Sequence, residues 1–362
     1  MSVYLIMLFL VVIFSLLAIK YYTVATNSKN NLGLIKTKQP NKFFVWLVFL
    51  CIAFVAMFRY NVGTDFFGYY DSARLINRFN KGNYRDPGFT IFSIICYYLF
   101  GGVDGSITMG AAFVTVAIFV FKIAKNSENF SFSIILFVLI GVFAGLFNGV
   151  RQYLATAILF AGYDLIVERK PIKWLLLVLL ASTFHITAIL MFFVYFICKP
   201  KCSWWLVFLY SIIAVILLFA YEPLFDLVGA LKQDEIDANN AYMNSSVDRL
   251  RVLVQCVPVI FLFFLDKEKV NSDKEARFLL NVCLLNAAIA IAAMNSPYFS
   301  RFWIYTNCFQ ILMFPKIFNK MKTNDRRIFI ALLLIGYSIF WFYEISKSTI
   351  LSNYTWIFKY LK

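Results

Sequence analysis

Residues 131–167 read SFSIILFVLIGVFAGLFNGVRQYLATAILFAGYDLIV and contain two apolar runs, 131–147 and 152–167, with a short polar turn between them. Each run approaches the roughly 20 apolar residues that an α-helix needs to cross a bilayer. Backbone polar groups find no water inside a bilayer, so helices that satisfy their own hydrogen bonds are expected there. The stretch therefore predicts two membrane-spanning helices joined by a tight turn.

The same pattern recurs along the whole chain. Further apolar runs lie at 3–19, 43–58, 107–121, 204–220, 247–265, 278–293, 302–318 and 328–343. Two regions, 89–100 and 172–198, are irregular and predict re-entrant hairpins or pairs of short helices, which a membrane tolerates where the broken backbone is buried. The 362 residues are 62% hydrophobic and 15% charged, whereas a soluble domain carries about 25% charge. The sequence predicts an all-α integral membrane protein, one polytopic domain over residues 1–362 with roughly 10–12 transmembrane helices.

Basic residues predict which loops face the cytoplasm. The net charge is +15, and most cations lie in short stretches between apolar runs, such as 20–42 and 316–327. This distribution indicates membrane orientation rather than a nucleic-acid partner. The acidic loop 222–246 is expected outside, and the N-terminus is expected there too. The external segments are then 59–88, 148–151, 222–246 and 294–301, with loops 59–88 and 222–246 flanking a candidate site.

Motifs for common cofactors and metals are absent from the sequence. It contains no phosphate-binding loop, no dinucleotide glycine pattern, no HExxH and no GxSxG. The seven cysteines lie mostly inside apolar runs without CxxC spacing, so we expect them to be small core residues. No metal and no cofactor is expected.

The polar segment after the second apolar run reads RYNVGTDFFGYY over residues 59–70. Gly63, Thr64 and Asp65 fit a tight turn or the cap of the next helix, because Gly frees the backbone and Thr or Asp caps a helix. The same residues could also take part in catalysis. Asp65 could accept a proton from a sugar hydroxyl at the lip of a membrane cavity, with Tyr69 positioning the sugar.

Asn148, Arg151 and Gln152 precede or begin the apolar run at 152–167. An arginine at the end of a span often only extends to the interface. On the external side, however, an Arg-Gln pair runs against the positive-inside trend, so Arg151 needs an anionic partner. A lipid pyrophosphate suits it, because a guanidinium binds phosphate in a bidentate fork.

The only histidine, His185, lies within the apolar stretch ASTFHITAILMF. A lone histidine there is often a hydrogen-bonded core residue, but ionisable groups inside membrane segments also mark functional cavities. His185 could donate to a phosphate oxygen or carry a proton. Arg301 follows Pro297 at the outer end of a span, either as an interfacial arginine or as another cation of the site. Together these groups predict an external, positively charged, aromatic-rimmed site suited to an anionic lipid-linked sugar.

Four motifs occur in a fixed order along the chain. They are R-x3-GTD-x3-Y at 59–69, DPGF at 86–89, N-x2-RQ-x2-A-x-AI at 148–158 and FH-x-TA at 184–188. In order and spacing they resemble the EpsG family of Wzy-like exopolysaccharide polymerases, of the O-antigen and capsule type. The resemblance runs from about residue 43 to the C-terminal region, where Arg301, Tyr305 and the closing YTWIFKY match weaker motifs. Departures are Asp86 for Glu, Thr187 for Ser and Phe66 for Tyr.

This resemblance implies an inverting glycosyltransferase with a GT-C-like fold in the bacterial plasma (inner) membrane. Such an enzyme polymerises undecaprenyl-pyrophosphate-linked oligosaccharide repeat units at the external face, with donor and acceptor both lipid-linked. Membrane lipid, a flippase and a chain-length regulator are expected partners. Catalytic roles are expected for Asp65, Arg151 and His185. The expected substrate-binding residues are Arg59, Thr64, Tyr69, Asp86, Asn148, Gln152, Arg301 and Tyr305.

Two other classes of protein use similar residues. A flippase or transporter of lipid-linked oligosaccharide would share a basic cavity, but internal repeats and a polar path across the membrane are expected of it, and the sequence shows neither. A membrane O-acyltransferase acting on surface polysaccharide would also use His and Arg. No carboxylate close in sequence orients His185. The sequence favours the polymerase and leaves both alternatives open.

Overall fold

The structure is a computed structural model, and it describes five ranges of the chain. They are residues 1–28, 31–80, 86–230, 247–294 and 297–360. Parts of three segments expected at the external face lie outside the described residues, namely 81–85, 231–246 and 295–296. The expectation that loop 222–246 flanks the site therefore falls largely outside them.

Helices make up most of the described chain. In order they are α1 Ser2–Leu17, α2 Lys42–Met57, α3 Phe66–Tyr70, α4 Ser72–Asn80, α5 Pro87–Leu99, α6 Ser106–Asn126, α7 Phe130–Leu139, α8 Val142–Gly145, α9 Val150–Ala161, α10 Asp164–Val167, α11 Pro171–Ser182, α12 Met191–Ile197, α13 Trp204–Ala230, α14 Arg249–Ile260, α15 Lys267–Ser272, α16 Lys274–Ala292, α17 Pro297–Asn307, α18 Gln310–Phe318, α19 Thr323–Lys347 and α20 Thr349–Ser352. Short 3-10 helices lie at Ile186–Leu190, Phe261–Phe263 and Ile357–Lys359.

These helices confirm the predicted all-α membrane architecture. Among the described residues, four helical segments are long and apolar enough to cross a membrane. They are Ser106–Asn126, Val150–Val167 (α9 together with α10), Lys274–Ala292 and Asn324–Lys347. Shorter apolar helices coincide with the predicted runs at 3–19, 43–58, 131–147 and 204–220. The runs at 247–265 and 302–318 are largely helical as well. Large apolar side chains such as Phe9, Trp205 and Ile339 are exposed, as expected of surfaces that face lipid. The external position of the N-terminus stays a prediction.

The two irregular regions take different forms. Residues 89–99 lie in one short helix, α5, rather than in a hairpin or a pair of helices, whereas 172–198 is broken into two short apolar helices, Pro171–Ser182 and Ile186–Ile197. The break falls at Thr183–His185, as expected for a pair of short helices. His185 therefore lies at a helix break rather than in the middle of a span.

Most of the basic stretch 20–42 lies in two paired β-strands. Strands β1 (Ile19–Ser28) and β2 (Asn31–Pro40) pair antiparallel, from Ile19 opposite Pro40 to Ser28 opposite Asn31. Helices α1 and α2 pack against each other, so the two ends of the stretch start side by side. Pairing their backbone groups with each other satisfies both arms. A second pair joins β3 (Arg59–Tyr60) to β4 (Thr355–Trp356) near the end of the chain.

The chain divides into two compact units. The first comprises Met1–Gly162, Leu179–Ile186 and Leu334–Lys362, and the second comprises Tyr163–Val178 and Thr187–Leu333. In the first, α6 is the central helix and packs against α2, α3, α5, α7 and α9. In the second, α16 is central and packs against α13, α14, α15, α17 and α18. A single domain over residues 1–362 stays a prediction.

Candidate active site

Two turns of the first unit meet at Gly63. Its φ is +93°, a left-handed conformation that favours glycine. A Cβ built on Gly63 would lie 2.1 Å from the carbonyl oxygen of Phe147. The Gly63–Asp65 turn can therefore approach the Phe147–Val150 turn only because position 63 carries no side chain.

Hydrogen bonds run in both directions between these turns. The backbone N–H of Thr64 donates to Oδ1 of Asn148 at 2.9 Å, and the Thr64 hydroxyl lies 3.4 Å from the same oxygen. In return, the backbone N–H of Val150 donates to Oδ2 of Asp65 at 3.3 Å. Val150 is the first residue of α9, so Asp65 caps a helix far along the chain. Asp65 also occupies the N-cap position of the next helix, α3, as expected, but its side chain makes no cap bond there.

Arg151 is held by two side chains from other segments. Its Nη1 donates to Oδ2 of Asp86, and its guanidinium also forms a hydrogen bond with Tyr69. The Asp86 side chain is 7% exposed, whereas that of Arg151 is 36% exposed. The guanidinium is thus held by Asp86 and Tyr69 at the N-terminus of α9, in a side chain that is partly exposed.

The phenol of Tyr69 is neutral in this arrangement. Burial raises the pKa of Tyr69, and the carboxylates of Asp65 and Asp86 act in the same direction, although the positive charge of Arg151 opposes them. A neutral phenol oxygen accepts a hydrogen bond from the guanidinium and can still donate its own proton to another oxygen.

The N-terminus of α5 is capped by backbone from the break between α11 and Ile186. The N–H groups of Gly88 and Phe89 donate to the carbonyl oxygen of Thr183 at 2.9 and 3.3 Å. A Cβ on Gly88 would lie 2.1 Å from Oγ1 of Thr183. Asp86 occupies the N-cap position but makes no side-chain cap bond. Because Thr183 supplies the cap, the Asp86 carboxylate is available to Arg151.

His185 follows this junction closely. Its backbone N–H donates to the carbonyl oxygen of Ala181 at 3.2 Å, and its side chain is half-buried. The neighbouring Phe184 ring packs on Phe92 of α5, with the ring centroids 6.2 Å apart. The contacts of Thr183 and Phe184 therefore attach the histidine motif to the motif that carries Asp86.

Arg59 and Gln152 are buried in the first unit. The Arg59 side chain is 1% exposed, donates from Nε to the carbonyl oxygen of Val62 at 3.2 Å and from Nη1 to that of Ala56, and lies 4.5 Å above the Phe147 ring. Burial lowers the pKa of Arg59 to about 10, with Tyr354, Tyr4 and Asp65 opposing the shift. Gln152 is 2% exposed. Contact of either residue with substrate stays a prediction.

Arg301 and Tyr305 lie in the second unit, on α17. Arg301 is exposed, whereas Tyr305 is 2% exposed. The hydroxyl of Tyr305 is hydrogen-bonded to that of Thr187 at 2.9 Å. The FH-x-TA motif, through Thr187, therefore contacts the C-terminal motif that contains Tyr305.

The sequence predicted the charged residues of the site but not two of the segments that hold them in place. Thr183 and the backbone of Phe147 were not singled out, although each closes a contact that a side chain at Gly88 or Gly63 would block. Those two glycines were the available signal, since a glycine inside a motif often marks a close backbone approach. In the described part of the chain, no group of three or more His, Cys, Asp or Glu side chains could hold a metal ion.

The fold and the site define a multi-pass membrane protein with a charged, partly accessible site built from helix ends. The model of the EpsG family matches residues 42–360, and the chain belongs to this family. Membership indicates a role in polysaccharide biosynthesis as a glycosyltransferase-like polymerase. No curated protein and no solved structure matches the chain.

Proposed function

We propose that this protein joins undecaprenyl-pyrophosphate-linked oligosaccharide repeat units into an exopolysaccharide at the external face of the bacterial plasma membrane, by inverting glycosyl transfer. The observation that carries the proposal is Arg151. Asp86 and Tyr69 fix its guanidinium, yet 36% of the side chain is exposed. A fixed cation with accessible donors suits an anionic leaving group.

The reaction requires stabilisation of the negative charge that develops on the leaving group. The bond between C1 of the donor sugar and the pyrophosphate oxygen breaks, and that oxygen keeps the electron pair. Arg151 stabilises this oxygen, and the positive end of the α9 dipole adds to its effect. A guanidinium has five N–H donors, so the bonds to Asp86 and Tyr69 leave others for phosphate.

The acceptor hydroxyl attacks C1 from the face opposite the leaving group, which inverts the configuration, and its proton passes to a base. Asp65 accepts the hydrogen bond of the Val150 N–H, and this bond ties its carboxylate to the N-terminus of α9. An imidazole accepts protons near neutral pH. The proposal therefore assigns the proton to His185 and makes Asp65 a positioning residue for α9.

The remaining predicted residues have supporting roles in this proposal. Thr64 and Asn148 hold the turn that precedes Arg151, and Arg59 and Gln152 stabilise the buried side of the same region. Arg301 and Tyr305 are assigned to the acceptor glycan. A flippase that supplies repeat units and a chain-length regulator are proposed protein partners.

Polymerisation of a purified lipid-linked repeat unit tests the proposal. Wild-type protein in nanodiscs should convert single units into a ladder on a gel. Arg151→Ala should lower the rate by about 10²–10³-fold, the usual cost of losing one charge-stabilising donor. Arg151→Lys should recover part of the rate, since it restores charge without the fork. Arg78→Ala, which removes an exposed arginine from α4, is the matched control and should keep the wild-type rate.

A normal ladder from folded Arg151→Ala would refute the proposed role. In cells that lack the gene, single repeat units on the surface indicate a polymerase. Full-length polymer with altered decoration would instead indicate an acyltransferase, and lipid-linked units retained inside would indicate a flippase.

A further inference from the structure

A cleft in the second unit is lined by four cations. The space between its atoms is about 350 Å³ with open solvent included, and about 30 Å³ of it admits the centre of a water molecule. The cations around it are Arg169, Lys199, Lys274 and Arg277. They come from three separate parts of the chain, the turn after α10, the end of α12 and the start of α16.

The second feature of the cleft is that its cations have no acidic partners among the described residues. In the part of the chain that the structure describes, none of the four forms an ion pair with a carboxylate. Two other lysines do form such pairs, Lys170 with Glu168 at 2.5 Å and Lys316 with Glu275, the residue after Lys274, at 2.8 Å. The positive-inside trend explains basic loops but not their convergence on one cleft. Four like charges around a concavity repel one another, and an anion would relieve that repulsion.

Arg169 adds an independent observation. Its φ is +58°, in the left-handed region. The N–H groups of Arg169 and Lys170 donate to the carbonyl oxygens of Ile166 at 3.1 Å and Leu165 at 2.8 Å, which ends α10 in a turn where glycine is the usual residue. A side chain at such a position costs free energy. An arginine there indicates that its guanidinium is used.

The cleft also has one fixed cation and an aromatic wall. Nη1 of the half-buried Arg277 donates to the carbonyl oxygen of Asn271 at 3.0 Å, which orients the guanidinium. Lys199 lies 6.0 Å from the ring centroid of Tyr195, and Phe278 lines the same cleft. Guanidinium and ammonium groups beside aromatic rings suit a phosphate that is attached to an apolar body.

We propose that this cleft binds the phosphate headgroup of an anionic membrane lipid. Lys274 is the first residue of α16, and Lys274–Ala292 is long and apolar enough to cross a membrane. The cleft therefore lies where a span ends, at the depth of lipid headgroups, and basic pockets at such places attract anionic lipids. The site is separate from the residues assigned to polymerisation, so it can be tested without the enzyme reaction.

Native mass spectrometry of the full-length protein measures the binding. The protein is released from detergent after incubation with phosphatidylglycerol or with zwitterionic phosphatidylcholine, each with and without excess inorganic phosphate. Wild type should retain phosphatidylglycerol at least fivefold more than phosphatidylcholine. Arg169→Gly and the double variant Lys199→Gln/Lys274→Gln should each lose most of that preference. Lys269→Gln removes the same charge from a lysine that is paired with Asp266 outside the cleft, and it should bind as wild type does.

Arg169→Gly separates binding from folding. It relieves the left-handed strain, so its melting temperature should equal or exceed that of wild type while its lipid binding falls. Undiminished phosphatidylglycerol binding by this variant and by the double variant would overturn the proposal. If inorganic phosphate displaces the lipid completely at millimolar concentration, the cleft serves a free phosphate and the lipid assignment is wrong.

Discussion

Substitution of Gly88 with alanine tests how the candidate active site is assembled. The new Cβ would lie 2.1 Å from Oγ1, 2.8 Å from Cβ and 3.1 Å from the carbonyl carbon of Thr183. The hydroxyl can rotate away, but the other two atoms belong to the backbone or directly adjoin it. The break that precedes His185 must therefore move away from α5.

The expected cost follows from these contacts. Inserting one methyl group into a packed site costs about 1–3 kcal/mol. The two hydrogen bonds from Gly88 and Phe89 to Thr183 would also lengthen, and each contributes about 1 kcal/mol. A net loss of about 2 kcal/mol lowers the melting temperature by about 4–8 °C for a unit of this size. The polymerisation rate should fall by more than the loss of folded protein explains, because the substitution also displaces the histidine motif.

A thiol-reactive dye measures unfolding directly in this protein. Five of its free cysteines are buried and become reactive only when the chain opens: Cys96, Cys198, Cys202, Cys283 and Cys308. Gly336→Ala is the control, because a Cβ there meets nothing within 4 Å and should not lower the melting temperature. Adding Thr183→Gly to Gly88→Ala removes two of the three close atoms. The double variant should be more stable than the sum of the single effects.

Two outcomes would refute this reasoning about Gly88. One is a Gly88→Ala variant with wild-type melting temperature and activity. The other is strict additivity with Thr183→Gly, which would show that the two positions do not press on each other.

Three further substitutions test the other contacts of the site. Gly63→Ala places a Cβ 2.1 Å from the Phe147 carbonyl oxygen at a residue with positive φ, so it should destabilise the protein by about 3 kcal/mol. An unchanged melting curve in the dye assay would contradict the contact between the two turns. Tyr69→Phe removes one hydrogen bond to the site guanidinium and should lower kcat roughly tenfold with little change in melting temperature; an unchanged kcat would exclude a positioning role. His185→Gln should abolish the acidic limb of the pH–rate profile, whereas Asp65→Asn should lower the rate and keep that limb; loss of the limb in Asp65→Asn alone would make Asp65 the base.

The membrane architecture could be predicted because the bilayer imposes strict lengths on apolar segments. The runs at 131–147 and 152–167 are helical, but each is divided, the first at Gly141 with φ +86°. Composition locates a span and cannot locate a break inside it, since the apolar pattern continues through the break. The basic charges likewise assigned 20–42 to one side of the membrane without revealing that its backbone forms two antiparallel strands.

The site was predicted as a set of residue types, whereas its contacts were not. An Asp at position 65 suggests a cap or a base, but nothing local indicates that its partner is the N–H of Val150. Asp86 and Arg151 are also far apart in sequence, and their pairing depends on how α5 and α9 pack against α6. Arg59 shows the opposite case, a charged residue in a motif whose side chain is buried against backbone carbonyls.

In these turns, residues of one segment cap a helix of another. This explains why the turns carry many polar residues that could serve either structure or catalysis. Helix ends leave backbone N–H groups without partners, and few waters reach them near a bilayer. Asp65 satisfies the end of α9 and Thr183 satisfies the end of α5, so the carboxylate of Asp86 is left for Arg151. The orientation of the Arg151 guanidinium thus depends on three segments at once. Alanine at Asp65 or Asp86 would remove a structural contact and a chemical group together, whereas a substitution that preserves shape, such as Asn for Asp, separates the two effects.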